Sequence, residues 1–341
     1  MKHSVVIGGA GFVGSWVVDE ILKDPNTRIT IVDNLMSSEK CNISTDPRVT
    51  FIEGSAADIH VLKSIQDNVD FVYQLACYHG NQSSIARPLD DFENGLKTTL
   101  VTLEWVKNFN PQARVVYSGA GCAVAEKTWD KPKAVEENET TSLLHDSPYS
   151  ISKITGEMYC KYYANQFGLD IVRVRFQNIF GPREILGAGI WRGTENTIWR
   201  NVIPTFIYKA LNNSEIDVYA ANNASRDFIY VEDVARAVVI VALNGEVGSL
   251  YNIASGQEVV ISDLLELIMD KTHSKSRVNL RSKRSWDNSG RRLGDGNKIF
   301  INLGFKPNIP LHEGLDLTIN WTIKNLDMIG KSIAKHGNDS D

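Results

Sequence analysis

The chain has 341 residues, 43% apolar and 23% charged, with a formal net charge of −5. That balance supports a full globular core and argues against general affinity for nucleic acid, whose phosphates need a basic surface. The N-terminus enters an apolar strand at once and no apolar run reaches the length of a membrane span, so a leader peptide and a membrane partner are not expected and the cytoplasm is the expected compartment. Four cysteines (Cys41, Cys77, Cys122, Cys160) are scattered without C-x-x-C pairing, and the histidines show no ligand spacing, so reduced thiols and no metal are expected.

The first predicted element is a β-branched strand, Ser4–Ile7, followed directly by Gly8-Gly9-Ala10-Gly11-Phe12-Val13-Gly14 and an apolar helical pattern (Phe12, Val13, Trp16, Val17, Ile21, Leu22). Strand, glycine turn and helix in that order place backbone N–H groups and the positive end of a helix where a pyrophosphate can sit. Gly8 permits the tight turn, Gly11 admits the phosphate, and Gly14 lets the helix close on the strand. A second apolar strand, Arg28–Val32, ends in Asp33, nineteen residues after Gly14. A carboxylate at about that separation holds an adenosine ribose. Asp33 would repel a 2′-phosphate and is followed by Asn34 rather than Arg, so NAD is the expected cofactor.

Further predicted strands are Val49–Ile52, Phe71–Leu75, Val115–Tyr117 and Ile171–Arg175. Between them lie helices near 58–66, 89–108 and 147–167, and a polar loop over His79–Ser84. Near-continuous apolar strands separated by helices imply a parallel sheet covered on both faces, with ligands beyond the strands' carboxyl ends. Residues just after strands are therefore the ones to inspect: Gly8, Asp33, Ser55, Ala76, Ser118 and Asn178. After Phe180 the rhythm loosens. Gly187–Asn201 is rich in Gly, Trp and Arg, followed by a helix at Val202–Leu211, a strand at Asp217–Ala220 and a helix at Val231–Leu243. Another helix is expected at Ser262–Lys271 with Ser262 as N-cap. Arg277–Arg292 is a basic loop able to bind phosphate if it faces the cleft, and Lys331–Asp341 reads as a frayed tail.

Tyr149 and Lys153 stand at i and i+4, on one face of a helix. An ammonium one turn from a phenol favours phenolate, and the tyrosinate can take a hydroxyl proton from a sugar as hydride leaves. At this point the sequence resembles the extended short-chain dehydrogenase/reductase family, specifically its NAD-dependent nucleotide-sugar epimerases and dehydratases. The likeness runs from about Lys2 to Trp321. It rests on Gly8/Gly11/Gly14, Asp33-Asn34-Leu35, Leu75-Ala76, Asn94, Val116-Tyr117-Ser118, Tyr149/Lys153, Asn178 with Gly181-Pro182, and Arg226 to Ala235.

The resemblance implies an α/β fold, a Rossmann-type doubly wound parallel sheet (1–180, with elements near 225–255 returning to it) carrying a smaller C-terminal α/β substrate lobe (181–330) and a tail (331–341). It implies NAD, a nucleotide-diphosphate sugar, and a homodimer built from the helices near 89–108 and 147–167. By position, Gly8, Gly11, Phe12 and Val13 would hold the pyrophosphate and Asp33 and Asn34 the adenosine ribose, with Leu35 also counted among the cofactor-binding residues. Ser55 and Ala56 fall near the adenine, although the family usually has Asp at the place of Ser55. Leu75 and Ala76 border the cofactor, which Tyr149 and Lys153 also touch. Asn178, Arg226 and Arg292 match positions that grip the substrate diphosphate, where guanidinium groups suit phosphate oxygens. A salt bridge of Arg226 with Asp227 or Glu232 is the alternative. His79 and Arg192 are further substrate-side candidates, the latter within Trp191–Thr194, either a specificity loop or a surface turn.

The departures carry as much information. Where the family reads Ser-Ser-(Ser/Thr), this chain has Ser118-Gly119-Ala120, so the hydroxyl beside the tyrosine is missing at Ala120. Dehydratases follow with Asp-Glu; here Gly121-Cys122 stand there, which disfavours 4,6-dehydration. The loop is similar to that of GDP-mannose 3,5-epimerases, in which a cysteine at the place of Cys122 is an acid/base, against the alternative of a small packed thiol. The function implied is epimerisation through a 4-keto sugar, with hydride leaving C4 and returning. The alternatives are a 4-dehydrogenase or dehydratase of the same family and a non-catalytic dinucleotide-sensing module.

Overall fold

The structure, a computed structural model, describes residues 1–66, 68–78, 80–123, 128–138, 147–190, 195–220, 224–284, 287 and 290–336. The N-terminal half runs β1 (Lys2–Ile7), α1 (Phe12–Leu22), β2 (Thr27–Asp33), β3 (Val49–Glu53), α2 (Ile59–Lys63), β4 (Phe71–Gln74), α3 (Asn81–Ala86) and α4 (Pro88–Asp91). A π-helical segment, Phe92–Lys97, leads into α5 (Thr98–Phe109), β5 (Arg114–Ala120), α6 (Pro148–Phe167) and β6 (Ile171–Phe176). The rest comprises β7 (Asn178–Phe180), α7 (Glu195–Ile198), α8 (Val202–Leu211), β8 (Ile216–Tyr219), β9 (Ser225–Tyr230), α9 (Val231–Asn244) and β10 (Leu250–Ile253). It ends with β11 (Glu258–Val260), α10 (Ile261–Thr272), β12 (Val278–Arg281), α11 (Asn297–Leu303), α12 (Leu311–Lys324) and α13 (Leu326–Ala334).

Seven parallel strands form the main sheet in the order β10-β6-β5-β4-β1-β2-β3. Its central strands are apolar nearly throughout, because helices cover both faces. One face buries Val17, Val18 and Ile21 of α1 with Val234, Val238 and Val241 of α9; the other buries Leu103, Trp105 and Val106 of α5 with Cys160 and Tyr163 of α6. The order reverses between β1 and β4, and a crevice opens at such a switch point. Around the smaller sheets β11-β9-β7 and β12-β8, helices α8, α10 and α12 build a separate apolar cluster that includes Phe206, Phe228, Leu264 and Leu315. Chain segments 178–180 and 225–253 pass between the two parts.

α6 shows how local chemistry fixes an element that carries function. The Ser147 hydroxyl accepts from Ser150 N at 3.3 Å, Pro148 occupies the first turn where no N–H is needed, and Gly168 ends the helix at φ 68°. A Cβ on Gly156 would overlap the Tyr117 hydroxyl, which donates to Lys153 O at 3.0 Å. The helix thus lies directly on β5.

Four local expectations are corrected. Most of the loop expected over His79–Ser84 is helix α3, whose turns are closed by Ser84 N on Gly80 O and by Ser84 Oγ on Asn81 O. Val260, not Ser262, caps α10, and the Ser262 hydroxyl turns to Asp263. The basic stretch 277–292 contains strand β12, and its charges meet acids: Arg281 with Asp217 at 2.9 Å, Arg291 with Glu258 at 2.7 Å. The C-terminal stretch is docked as far as 336. α13 continues to Ala334, Lys335 pairs with Glu39, and the His336 ring meets Gly187 O at 2.7 Å.

Candidate active site

The crevice at the switch point is lined by the glycine turn (Gly8, Gly11, Phe12, Val13, Gly14), by Asp33 and Asn34, by Ser55 and Ala56, and by Leu75 and Ala76. These sequence-selected residues therefore share one groove. The turn is shaped by close approach. A Cβ on Gly8, at φ 85°, would sit 2.8 Å from Ala76 N; one on Gly14 would overlap Gly8 O. α1 starts at Phe12 with Gly11 as its N-cap and no side chain capping it, so its first N–H groups face the groove. Leu35 is not part of the lining. Held at φ 56°, it donates its N–H to Asp33 Oδ1 at 2.9 Å and so orients the acid.

Asp33 is the hinge of this half-site. Oδ1 also accepts from Ser38 Oγ at 2.7 Å, and Oδ2 accepts from Ala10 N at 3.1 Å. Burial lifts its carboxyl above the usual carboxylate range, and these hydrogen bonds pull it back. The acid therefore locks the glycine turn to the end of β2 while lining the groove. A glycine cradle at a helix start, closed by an acid after the next strand, fits NAD without added bulk.

At the far end, the groove meets a small cavity lined by Ala76, Cys77, Asp91, Gly95, Thr99, Tyr117, Tyr149, Ser152 and Lys153. Lys153 is buried. Its ammonium donates to Ser118 O at 2.7 Å and to Ser118 Oγ at 3.2 Å, and lies 5.9 Å from the Tyr149 ring centre. Ser118 Oγ donates to Gln74 O at 2.9 Å, which completes a chain from α6 across β5 to β4. Tyr149 packs against Ala120, Ala123, Val135 and Ile154. The hydroxyl position of the family is thus apolar here, as its sequence requires.

No local pattern points to a set of residues on the opposite wall. Glu184, Ile185, Ala188 and Arg200 line the groove, with Arg183. Glu184 is 7% exposed, takes a hydrogen bond from Asn201, and is pushed up to about 7, chiefly by burial. Burial brings Arg200 down to about 10, opposed by charge interactions with Glu184, Cys77 and Tyr149. The one signal along the chain is that Arg183-Glu184 directly follows Gly181-Pro182. Asp91 is a second case: 1% exposed, it accepts from Ser152 Oγ at 2.6 Å beside Lys153, and burial raises its carboxyl.

The substrate-side residues are less closely gathered. Asn178 is exposed at the start of β7, opposite Phe228. The Arg226 guanidinium donates to Ser225 O and Gly290 O, both at 2.7 Å. Arg292 is 6% exposed. His79, Arg192 with the rest of Trp191–Thr194, and the Cys122 side chain lie outside the described residues.

A cofactor groove that opens onto a tyrosine–lysine pair anchored to the fifth strand is the arrangement of a dinucleotide-dependent enzyme of the short-chain dehydrogenase/reductase class. The chain belongs to the NAD dependent epimerase/dehydratase family, whose profile matches residues 4–254. The Bordetella bronchiseptica enzyme WbmF in complex with NAD+ and UDP is 46% identical, covers 98% of this chain and 96% of its own, and superposes with a TM-score of 0.88. The UDP-N-acetylglucosamine 4-epimerase of Methanobrevibacter ruminantium M1, solved with UDP-N-acetylmuramic acid, is 31% identical over 95% of this chain and 99% of its own, with a TM-score of 0.84. The dTDP-glucose 4,6-dehydratase of Shigella flexneri is 27% identical over 352 residues, 95% of this chain and 94% of that protein. Among the described residues, no helix is long and apolar enough to cross a membrane, and no group of His, Cys, Asp and Glu could hold a metal.

Proposed function

We propose that the chain epimerises a nucleotide-diphosphate sugar, with UDP-sugars the first candidates. The observation that carries this is the Tyr149–Lys153 pair at the end of an NAD groove, in a chain that has Gly121-Cys122 where a dehydratase needs two carboxylates. The complex of WbmF with UDP and the naming of the Methanobrevibacter protein as a UDP-sugar 4-epimerase support the nucleotide.

Bound NAD supplies a reversible acceptor for the hydrogen on the sugar carbon. Tyr149 removes the proton of the 4-hydroxyl as the 4-keto sugar forms, and returns it after the sugar has turned over. Lys153, fixed by Ser118, holds its positive charge beside the phenol throughout. The glycine turn, with Asp33 and Asn34, binds the dinucleotide, while Asn178, Arg226 and Arg292 serve the diphosphate end of the substrate. Cys122 acts either as acid/base at a neighbouring carbon or as packing.

The test is incubation with UDP-glucose, UDP-N-acetylglucosamine and dTDP-glucose, followed by sugar NMR and absorbance of reduced nicotinamide. Inversion at one carbon with no lasting reduced nicotinamide is expected. Loss of water, release of a keto sugar, or no conversion of any nucleotide sugar would refute the proposal. Tyr149→Phe should retain NAD and lose roughly 10²–10⁴-fold in kcat.

Assembly as a homodimer is part of the same proposal. α6 buries one side on β5 and leaves Ile151, Met158, Tyr162 and Phe167 exposed, with Leu89 and Phe92 exposed on the preceding helices. Isolated apolar residues are ordinary, but Ile151, Met158 and Tyr162 follow one another along one face of the helix, which supports an interface there. Met158→Glu with Tyr162→Glu should yield monomers in analytical ultracentrifugation; an unchanged sedimentation coefficient would exclude this face.

A further inference from the structure

Gln177 stands at the junction of the two sheets, between Phe176, which pairs with Ala120, and Asn178, which opens β7. Its backbone N–H is held by Ile253 O at 3.2 Å. Its side chain runs between two glycines from different loops. A Cβ on Gly121 would overlap Gln177 Nε2 and lie 2.7 Å from Cδ; one on Gly294 would lie 2.6 Å from Nε2 and 2.7 Å from Cγ. Neither loop could carry a side chain there without displacing the amide. The two glycines also locate it. Gly121 lies between Ala120 and Ala123, both packed with Tyr149, and Gly294 bridges to Val135 of the same cluster.

The half-buried amide makes no side-chain hydrogen bond among the described residues. A primary amide brings two donors and an acceptor, and neither polar atom of Gln177 is among the buried, unpartnered ones, so both stay open to a ligand. It also lies beyond the carboxyl ends of β5 and β6, where ligands bind in such sheets.

We propose that Gln177 is a sugar-contacting, specificity-determining residue whose amide makes the hydrogen bond beside Tyr149 that Ala120 cannot make. An amide that both donates and accepts can meet a hydroxyl in either configuration, which suits a sugar presented on two faces. The Gly119-Ala120-Gly121 sequence then has a physical origin. Gly119 is required by Glu157 Oε1 beneath it and Gly121 by the Gln177 amide beside it.

The inference rests on the nucleotide-sugar function proposed above, and the experiment separates the two. Gln177→Met keeps length and fills the slot without hydrogen bonds. Affinities for UDP, UDP-glucose and UDP-N-acetylglucosamine are measured by calorimetry on NAD-loaded parent and variant, with kcat/KM wherever the parent turns a sugar over. Unchanged NAD content, melting temperature and UDP affinity are expected, with a 10- to 100-fold loss in UDP-sugar affinity or kcat/KM. Ala120→Ser in the Gln177→Met background should recover at least part of that loss, which a purely structural role would not allow. As a second route that leaves Gln177 in place, Gly121→Ala should evict the amide and give the same selective loss. UDP-sugar parameters within twofold of the parent in both Gln177→Met and Gly121→Ala overturn the assignment. A parent that binds UDP no more weakly than any UDP-sugar and converts none overturns the sugar-binding function and the subsite with it.

Discussion

Glu157 and Arg175 provide the most direct test of how the site is held. The guanidinium meets the carboxylate through two hydrogen bonds, Nε to Oε1 at 2.9 Å and an Nη to Oε2 at 2.8 Å, with the side chains 5% and 6% exposed. The pair passes under Gly119, joining α6 to β6 beneath the strand that anchors Lys153. Glu157→Gln keeps the shape and removes the charge, leaving a buried guanidinium uncompensated, which costs about 3 kcal/mol or more. At about 2 °C per kcal/mol for a chain of this size, the melting midpoint of the cofactor-stripped protein should fall by roughly 6 °C. The double variant Glu157→Met with Arg175→Met has no orphaned charge and should be more stable than Glu157→Met alone, giving a coupling energy of about 2 kcal/mol in the cycle. Calorimetry on the four proteins measures it. A single variant melting within about 2 °C of the parent, or a cycle that adds without coupling, would refute the view that this pair clamps α6 to the sheet.

Two further perturbations address the cofactor groove. Gly14→Ala gains roughly 1 kcal/mol of helix propensity, but its methyl overlaps the backbone at Gly8. NAD retention, read from the nucleotide released on denaturation, should therefore fall well below that of the parent; full retention would show that α1 can withdraw from the turn. Glu184 titrates near 7 in the folded chain against 4.5 unfolded, so the native state holds the proton more tightly. Stability should therefore decline as pH rises from about 4.5 to about 7, by about 3 kcal/mol once ionisation is complete. Glu184→Gln should flatten this profile and be the more stable protein at pH 8 but not at pH 5, and parallel profiles for the two would exclude the assignment.

The groove was legible in sequence where function depends on neighbours along the chain. Gly8, Gly11 and Gly14 write a turn, Asp33 ends the next strand, and Tyr149 and Lys153 are one helical turn apart; each relation follows from backbone geometry within one or two elements. The doubly wound sheet followed from the strand–helix alternation for the same reason. Short polar elements were harder to read. α3 is made of Asn, Gln and Ser, whose side chains favour loops unless tertiary contacts hold the turn, and β12 hides in a basic stretch because its partner acids lie on β8 and in the segment just before it.

What no local pattern could deliver is the reason for the departures at 119–121. Taken alone, the loss of the family's hydroxyl at Ala120 suggests a weakened catalyst. Beside Glu157, Arg175 and Gln177, the two flanking glycines become clearance for a buried ion pair and for the Gln177 amide. The consequence is a constraint running across the sheet: restoring a side chain at 119 or 121 without altering 157, 175 or 177 forces atoms into occupied space. A chain with Ser-Ser-Thr at 118–120 puts a side chain where Glu157 Oε1 and the Arg175 Cγ stand, so this loop, α6 and β6 constrain one another and cannot be varied independently.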